Sequence, residues 1–183
     1  MEDKQQAIPF KEIETLGDDY LLGETRQEIM LEASDDHIAL TDHMITQAGR
    51  TIRIFTRDLD PVIYDRNNVI DAIRRLATRS SYARTEILAF DTSRIISRGH
   101  RLVELTRALS SSVEIRRPEK QYEKHQHAFI TFDEVGYIYR THANRYDGIA
   151  NYNDPRQTRE FEKLFKEIWA RSRVDTEMRS LNI

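Results

Sequence analysis

Histidines and arginines supply most of the residues whose types and spacing could do chemistry. His125 and His127 stand two apart in Lys124–Thr141, KHQHAFITFDEVGYIYRT. On a strand that spacing turns both imidazoles to one face, where they could hold a metal ion or exchange protons. Asp133, Glu134 and His142 are the nearest residues of ligand type, but none completes a convincing ligand spacing. A solvated pair at a strand mouth is the plainer explanation of the two histidines. His100 lies in SRGHRL at the start of an expected helix, where unpaired N–H groups attract anions. Gly99 permits close backbone approach there, and His100 and Arg101 add donors. A histidine that only caps or packs is the plainer alternative. Arg116, Arg117 and Arg140 end strands, so they are either solvated strand ends or an anion clamp. Tyr137, Tyr139, Tyr146 and Tyr152, with arginines nearby, have the aromatic and basic mix of single-stranded nucleic-acid platforms. Packing on one sheet face accounts for Tyr137 and Tyr139 without a ligand.

The elements that must position these residues follow from hydrophobic period and turn chemistry. Residues 124–141 read as a hairpin, with β-branched and aromatic residues on either side of Asp133-Glu134-Val135-Gly136. Ser34-Asp35-Asp36 opens a helix carrying Leu40, Met44 and Ala48 on one face, which ends at Gly49-Arg50. TIRIF at 51–55 is a strand, and Asp58–Pro61 turns the chain. A helix follows from Asn67 or Asn68, with Val69, Ile70, Ile73, Leu76 and Ala77 as its face. TEILAF at 85–90 is the second strand, Ile96–Leu109 a helix, and VEIR at 113–116 the third strand. Residues 142–153 read as a loop. Asp154-Pro155 caps an amphipathic helix bearing Phe161, Leu164, Phe165, Ile168 and Trp169. Ile29–Leu31 fit either a helix or a short edge strand, and Leu181 is expected to dock a terminal turn. Alternating strands and helices call for a mostly parallel sheet with helices on both faces, to which the hairpin adds antiparallel strands.

Composition narrows the classes of function. The chain has 183 residues and no cysteine, which excludes a disulfide framework, a thiol nucleophile and thiolate metal sites. No apolar run approaches the ~20 residues of a membrane span, and the first residues lack a secretion pattern. A cytoplasmic protein is expected. The net charge of -3 hides an asymmetry, since residues 1–40 carry eleven acidic and three basic residues. Residues 1–33 are therefore expected to form an acidic, partly irregular leader, and 34–183 a single α/β domain. A sharper alternative has the leader covering a basic surface in competition with an anion. Net acidity and the lack of a dense basic run weigh against nucleic acid.

Element order, with the closing hairpin and aromatic helix, resembles one half of the phospholipase D-like fold over roughly residues 34–170. The segments RTIRIFTRDLDPVIYD, GHRLVELTRALSSSVEIR and DTEMRSLNI are similar to an uncharacterised bacterial domain family of that fold. Its members occur alone or attached to GNAT-type acetyltransferase domains. Catalytic members of the fold carry H-x-K-x-x-x-x-D, in which the His forms a phosphohistidine or protonates the leaving group and the Lys holds phosphate. A G-S-x-N pattern follows. Setting Asp133 on the Asp of this motif puts Gln126 at the His and Ala128 at the Lys. It puts Arg140-Thr141 at Gly-Ser, and Ala143, with Asn144 beside it, at Asn. Starting instead from His125 puts His127 and Phe132 at the Lys and Asp positions, and starting from His127 puts Phe129 and Glu134 there. Neither register supplies the cation.

The resemblance thus implies a phospholipase D-like half-domain with a degenerate site. It would be a non-catalytic binding or accessory module that holds a phosphate-containing ligand without cofactor or metal. The residues implied for that ligand are Arg140, Thr141, His100, Arg101, Arg116, Gln126, His127 and Asn144. Single-half relatives pair their sites across a dimer, which implies a homodimer. A phosphodiesterase or nuclease built on His125, His127 or His100 is the alternative, and a structural partner of an acetyltransferase is another.

Overall fold

The computed structural model describes residues 6–174 except 14 and 18. The expected terminal turn at Leu181 lies outside the described residues. Along the chain come β1 (Ile8–Pro9), β2 (Glu28–Leu31), α1 (Ser34–Gln47), β3 (Thr51–Thr56), α2 (Pro61–Tyr64), α3 (Asn67–Arg79) and β4 (Arg84–Ala89). They are followed by α4 (Thr92–Arg98), α5 (Arg101–Ala108), β5 (Val113–Arg117), β6 (Ala128–Phe132), β7 (Gly136–Arg140), β8 (Gly148–Asn151), α6 (Pro155–Ala170) and β9 (Arg173–Val174). The strands form one mixed sheet in the order β1-β2-β8-β7-β6-β3-β4-β5-β9.

The fold is the α/β class expected, with helices on both faces and the closing hairpin and helix. Its parallel centre is β3-β4-β5, and β6 joins β3 antiparallel. The antiparallel share is larger than the sequence suggests, because the hairpin continues through β8 to β2. Ile29–Leu31 are thus resolved as strand. The segment 142–153, read as a loop, contains β8. Its Gly148 is required by close approach: a Cβ there would meet the Tyr139 carbonyl oxygen at 2.2 Å. The Asp58–Pro61 turn leads directly into the short helix α2, whose cap is Asp60: Oδ1 accepts from Val62 N–H at 3.0 Å. The helix expected over 96–109 is two helices. Gly99, at φ 72°, ends α4 in the left-handed region, and His100 starts α5.

The sheet separates two cores. On one face α1, α2, α3, α4 and α5 cover Ile52 and Ile54 of β3, Ile87 of β4, Ile115 of β5, Ile130 of β6 and Ile138 of β7. On the other face α6 lays Phe165 and Ile168 over Phe55, Leu88 and Phe129. Both faces are covered, so β6 is buried along its whole length. The hairpin turn carries positive φ at Asp133 and Glu134, 52° and 62°. Such values suit Asn-Gly better than Asp-Glu. The Asp133 carboxylate accepts N–H groups from Gly49, Arg50 and Thr51 at 2.7–2.8 Å, which pins this turn to the α1–β3 junction.

Candidate functional site

Side chains alternate along β7, so Tyr137 and Tyr139 face α6 while Ile138 and Arg140 face α1. Arg140 pairs in register with Ala128 across the β6–β7 hairpin. It is 2% exposed. Nη1 donates to the Arg145 carbonyl at 3.3 Å, and the guanidinium carbon lies 5.7 Å from the Tyr146 ring centre. Nη2 has no hydrogen-bond partner among the described residues, and among those residues no carboxylate is within ion-pair distance. Tyr64 and His37 stand near the charge. Burial, opposed by Arg140, pushes the Tyr64 hydroxyl up to about 12. Burial first, and then Arg140, lowers His37 to about 3, so this imidazole is neutral. The guanidinium is close enough to act on the Tyr64 hydroxyl without satisfying Nη2. Tyr146 donates to Asp60 Oδ2 at 2.8 Å, which holds the 142–147 loop over Arg140.

The other expected residues divide among separate places. Gln126 is exposed, and its carbonyl accepts from Ala143 N–H at 2.6 Å. Thr141 and Asn144 are exposed beside it, at the mouth of the hairpin. His127 belongs to the opposite face, stacked on Phe55 at 5.3 Å, with His125 edge-on at 5.2 Å. Both precede β6, and burial lowers both pKa values, so they are neutral aromatic partners at pH 7. Among the described residues no three His, Asp or Glu side chains converge to hold a metal ion. Arg116 lies on the α6 face, bound to Glu114 at 2.9 Å and 4.2 Å from the Trp169 ring centre. Arg101 reaches Asp65 at 2.7 Å and Asn67. Neither arginine meets Arg140.

His100 lies beyond the carboxyl ends of β3 and β4. It is 3% exposed and caps α5, with Nδ1 accepting from Leu102 N–H at 3.1 Å. The Val103 N–H goes to the His100 carbonyl at 2.9 Å, and the Arg101 N–H points at Asp65. The first N–H groups of α5 are therefore engaged inside the protein, and an anion has little to gain from them. Burial opposes the charge on Asp65, but its hydrogen bonds with Arg101 and the neighbouring His100 outweigh this and hold the carboxyl below its ordinary value.

Sequence reasoning missed a second buried guanidinium. Arg53 of β3 is 9% exposed and faces α6, where it meets Glu86 at 2.6 Å, Glu134 at 3.3 Å and the buried Glu162. Thr131 also donates to Glu162. Burial works against the Arg53 charge, but Glu162 and the other carboxylates more than restore it. An arginine in the middle of an apolar strand, with an acidic residue on the apolar side of a later helix, was the available signal.

The chain belongs to the family described as Domain of unknown function (DUF7931), which it matches over residues 33–181. No curated protein sequence matches it. Among solved structures it is similar to TrmBL2, an archaeal chromatin protein with a novel mode of DNA binding. The TM-score is 0.62 at 16% identity, covering 90% of this chain and 58% of that one. It is also similar to NucT from Helicobacter pylori, with TM-score 0.59 and 9% identity over 82% of this chain and 98% of that one. The phospholipase D family member Nuc from Salmonella typhimurium gives TM-score 0.51 and 13% identity over 75% and 89% of the two chains. The likeness establishes the phospholipase D-like fold. Among the described residues no helix is long and apolar enough to cross a membrane.

Proposed function

We propose that this chain is a non-catalytic binding or accessory module of phospholipase D-like fold, holding a phosphate-type anion at Arg140. The observation that carries this reading is a buried guanidinium, paired with no carboxylate among the described residues, on the residue in register with Ala128. With Asp133 aligned on the motif, Ala128 takes the place of the phosphate-holding Lys and Gln126 that of the His. Without a nucleophile the covalent route is closed, while a cation in place of the lost one can still hold an anion. A desolvated charge without a counter-ion costs several kcal/mol. An anion that displaced the Arg145 carbonyl would relieve that cost. Asp133 supports the reading from the other side, because its carboxylate is fully engaged with backbone N–H groups and is not available for chemistry.

The test is thermal unfolding of the wild type and of Arg140→Met with inorganic phosphate, alongside turnover of a generic phosphodiester. A saturable rise in melting temperature that Arg140→Met loses, with no turnover, supports the proposal. Turnover abolished by His127→Ala or His125→Ala would make the chain an enzyme. An equal rise in both proteins would remove Arg140 from the site. A homodimer and an acetyltransferase partner rest on the resemblance, and sedimentation and co-purification test them. Nucleic acid is named only by the DNA-binding neighbour, and the net charge of -3 opposes it.

A further inference from the structure

Arg140 is almost completely buried, so an anion reaches it only after part of the protein moves aside. The loop that joins β7 to β8 touches the guanidinium from the solvent side. The Arg145 carbonyl accepts from Nη1, and the Tyr146 ring lies 5.7 Å from the guanidinium carbon. Asn144 and Arg145 are themselves exposed.

The hydrogen bonds of this loop show where it is held. At its base the Ala143 N–H donates to the Gln126 carbonyl at 2.6 Å, and the Arg145 N–H turns back to the His142 carbonyl at 3.0 Å. The Arg145 side chain pairs with Asp147 at 2.6 Å, an ion pair internal to the segment. Among the described residues, two hydrogen bonds join 144–147 to residues outside the loop. One runs from Arg140 Nη1 to the Arg145 carbonyl at 3.3 Å, longer than an ordinary N–H···O bond. The other runs from the Tyr146 hydroxyl to Asp60 Oδ2 at 2.8 Å. Asp60 is a fixed anchor, because its Oδ1 caps α2 through the Val62 N–H. Burial, and then the bond to Asp60, push the Tyr146 hydroxyl up from its ordinary value, so it keeps its proton as the donor at pH 7.

The carbonyl is the weak partner in this arrangement. A neutral oxygen at 3.3 Å compensates the guanidinium poorly, and Nη2 has no hydrogen-bond partner among the described residues. An anion makes a shorter and stronger bond to the same group. We propose that residues 144–147 are a lid over the Arg140 site, latched by Tyr146 on Asp60, with the Arg145 carbonyl in the anion's place while the lid is shut. This inference rests on the anion reading of Arg140 and adds how the site is controlled. The shut form does not bind, so the latch lowers the apparent affinity in proportion to the fraction of molecules that are open. Arg140 decides whether the anion is held, and Tyr146 decides how readily it enters.

Tyr146→Phe keeps the ring and removes the latch, so it tests the lid without emptying the site. In the full chain, modification of Arg140 by phenylglyoxal, followed by peptide mass spectrometry, reads lid opening with no anion present. Titration with inorganic phosphate reads binding. Tyr146→Phe should quicken modification of Arg140 about tenfold, the effect of one charge-assisted hydrogen bond, and should tighten phosphate by a similar factor. Amide exchange at Arg145 should quicken too, while Ala143 at the base stays as protected as in the wild type. An unchanged modification rate would overturn the lid. So would weaker phosphate binding in Tyr146→Phe, which would make the hydroxyl a contact of the anion. Faster modification with no phosphate binding in either protein would uphold the lid and defeat the anion reading. Phosphate binding that Arg140→Met loses and Tyr146→Phe leaves unchanged would uphold the anion reading and overturn the lid.

Discussion

Arg53 and Arg140 lie on opposite faces of one sheet, 9% and 2% exposed, and their surroundings differ in kind. Arg53 stands among Glu86, Glu134 and Glu162, with Thr131 closing the lone pairs of Glu162. Arg140 has a carbonyl, two tyrosines and a neutral histidine for company. The first arrangement fastens α6 to β3. The second leaves a charge in a nearly dry place with no ion-pair partner among the described residues. A buried cation that only fills space is served better by methionine, which is why the two sites are read as structural and as ligand-directed respectively.

Breaking the Arg53 network should have the largest effect. Glu162→Gln leaves Arg53 buried with its main partner gone, and should cost about 3–5 kcal/mol in urea unfolding. A loss below ~1 kcal/mol would mean that the network is worth no more than a surface pair. The matching change on the other face should have the opposite sign. Arg140→Met removes a buried charge whose Nη2 has no hydrogen-bond partner among the described residues, so it should be neutral or stabilising by about 1–3 kcal/mol. A destabilisation as large as that of Glu162→Gln would make Arg140 a fastening like Arg53.

A third prediction uses pH. His37 falls from 6.5 to about 3 in the folded protein, through burial and then Arg140. The unfolded chain therefore binds the proton first as pH drops. The stability His37 contributes is complete above 6.5 and is lost on the way down to about 3. The steepest slope is ~1.4 kcal/mol per pH unit for this one group. NMR titration should find the ring neutral throughout mildly acid conditions, and Arg140→Met should raise its midpoint. A midpoint that does not move would separate Arg140 from His37. The smallest effect belongs to the rim. Lys166→Ala removes an exposed cation 3.0 Å from Glu134, and should cost roughly 0.2–1 kcal/mol in the same unfolding assay.

Strands whose side chains are apolar or β-branched were legible as they stood, such as TIRIF, TEILAF, VEIR and the hairpin. So was α6, because Pro155 and Asp154 mark its start and Phe161 to Trp169 its face. What escaped had a tertiary cause. β8 reads GIAN, a turn-like composition, and is a strand because only glycine fits against the Tyr139 carbonyl. Gly99 divides one apparent helix because the left-handed conformation it permits is used there. For the site, residue types pointed to Arg140, His100 and the hairpin histidines, but not to which faces they share. His127 and Arg140 sit on opposite faces, and Asp58 and Tyr64 reach the functional end only because Asp58–Pro61 leads straight into α2. No local pattern encodes that, among the described residues, no carboxylate pairs with Arg140.

The pairing of β2 has a consequence for the order in which the protein can be made. Glu28–Leu31 has the two residues of β1 on one side and β8, at Gly148–Asn151, on the other. A ribosome therefore releases this strand well before the chain holding its main partner exists. β3 waits similarly for β6, although β4 follows it sooner. Contacts so distant in sequence make for slow closure. This strand emerges before its partner and is thus among the last to be secured, and an unfinished chain presents Ile29 and Leu31 to whatever is nearby.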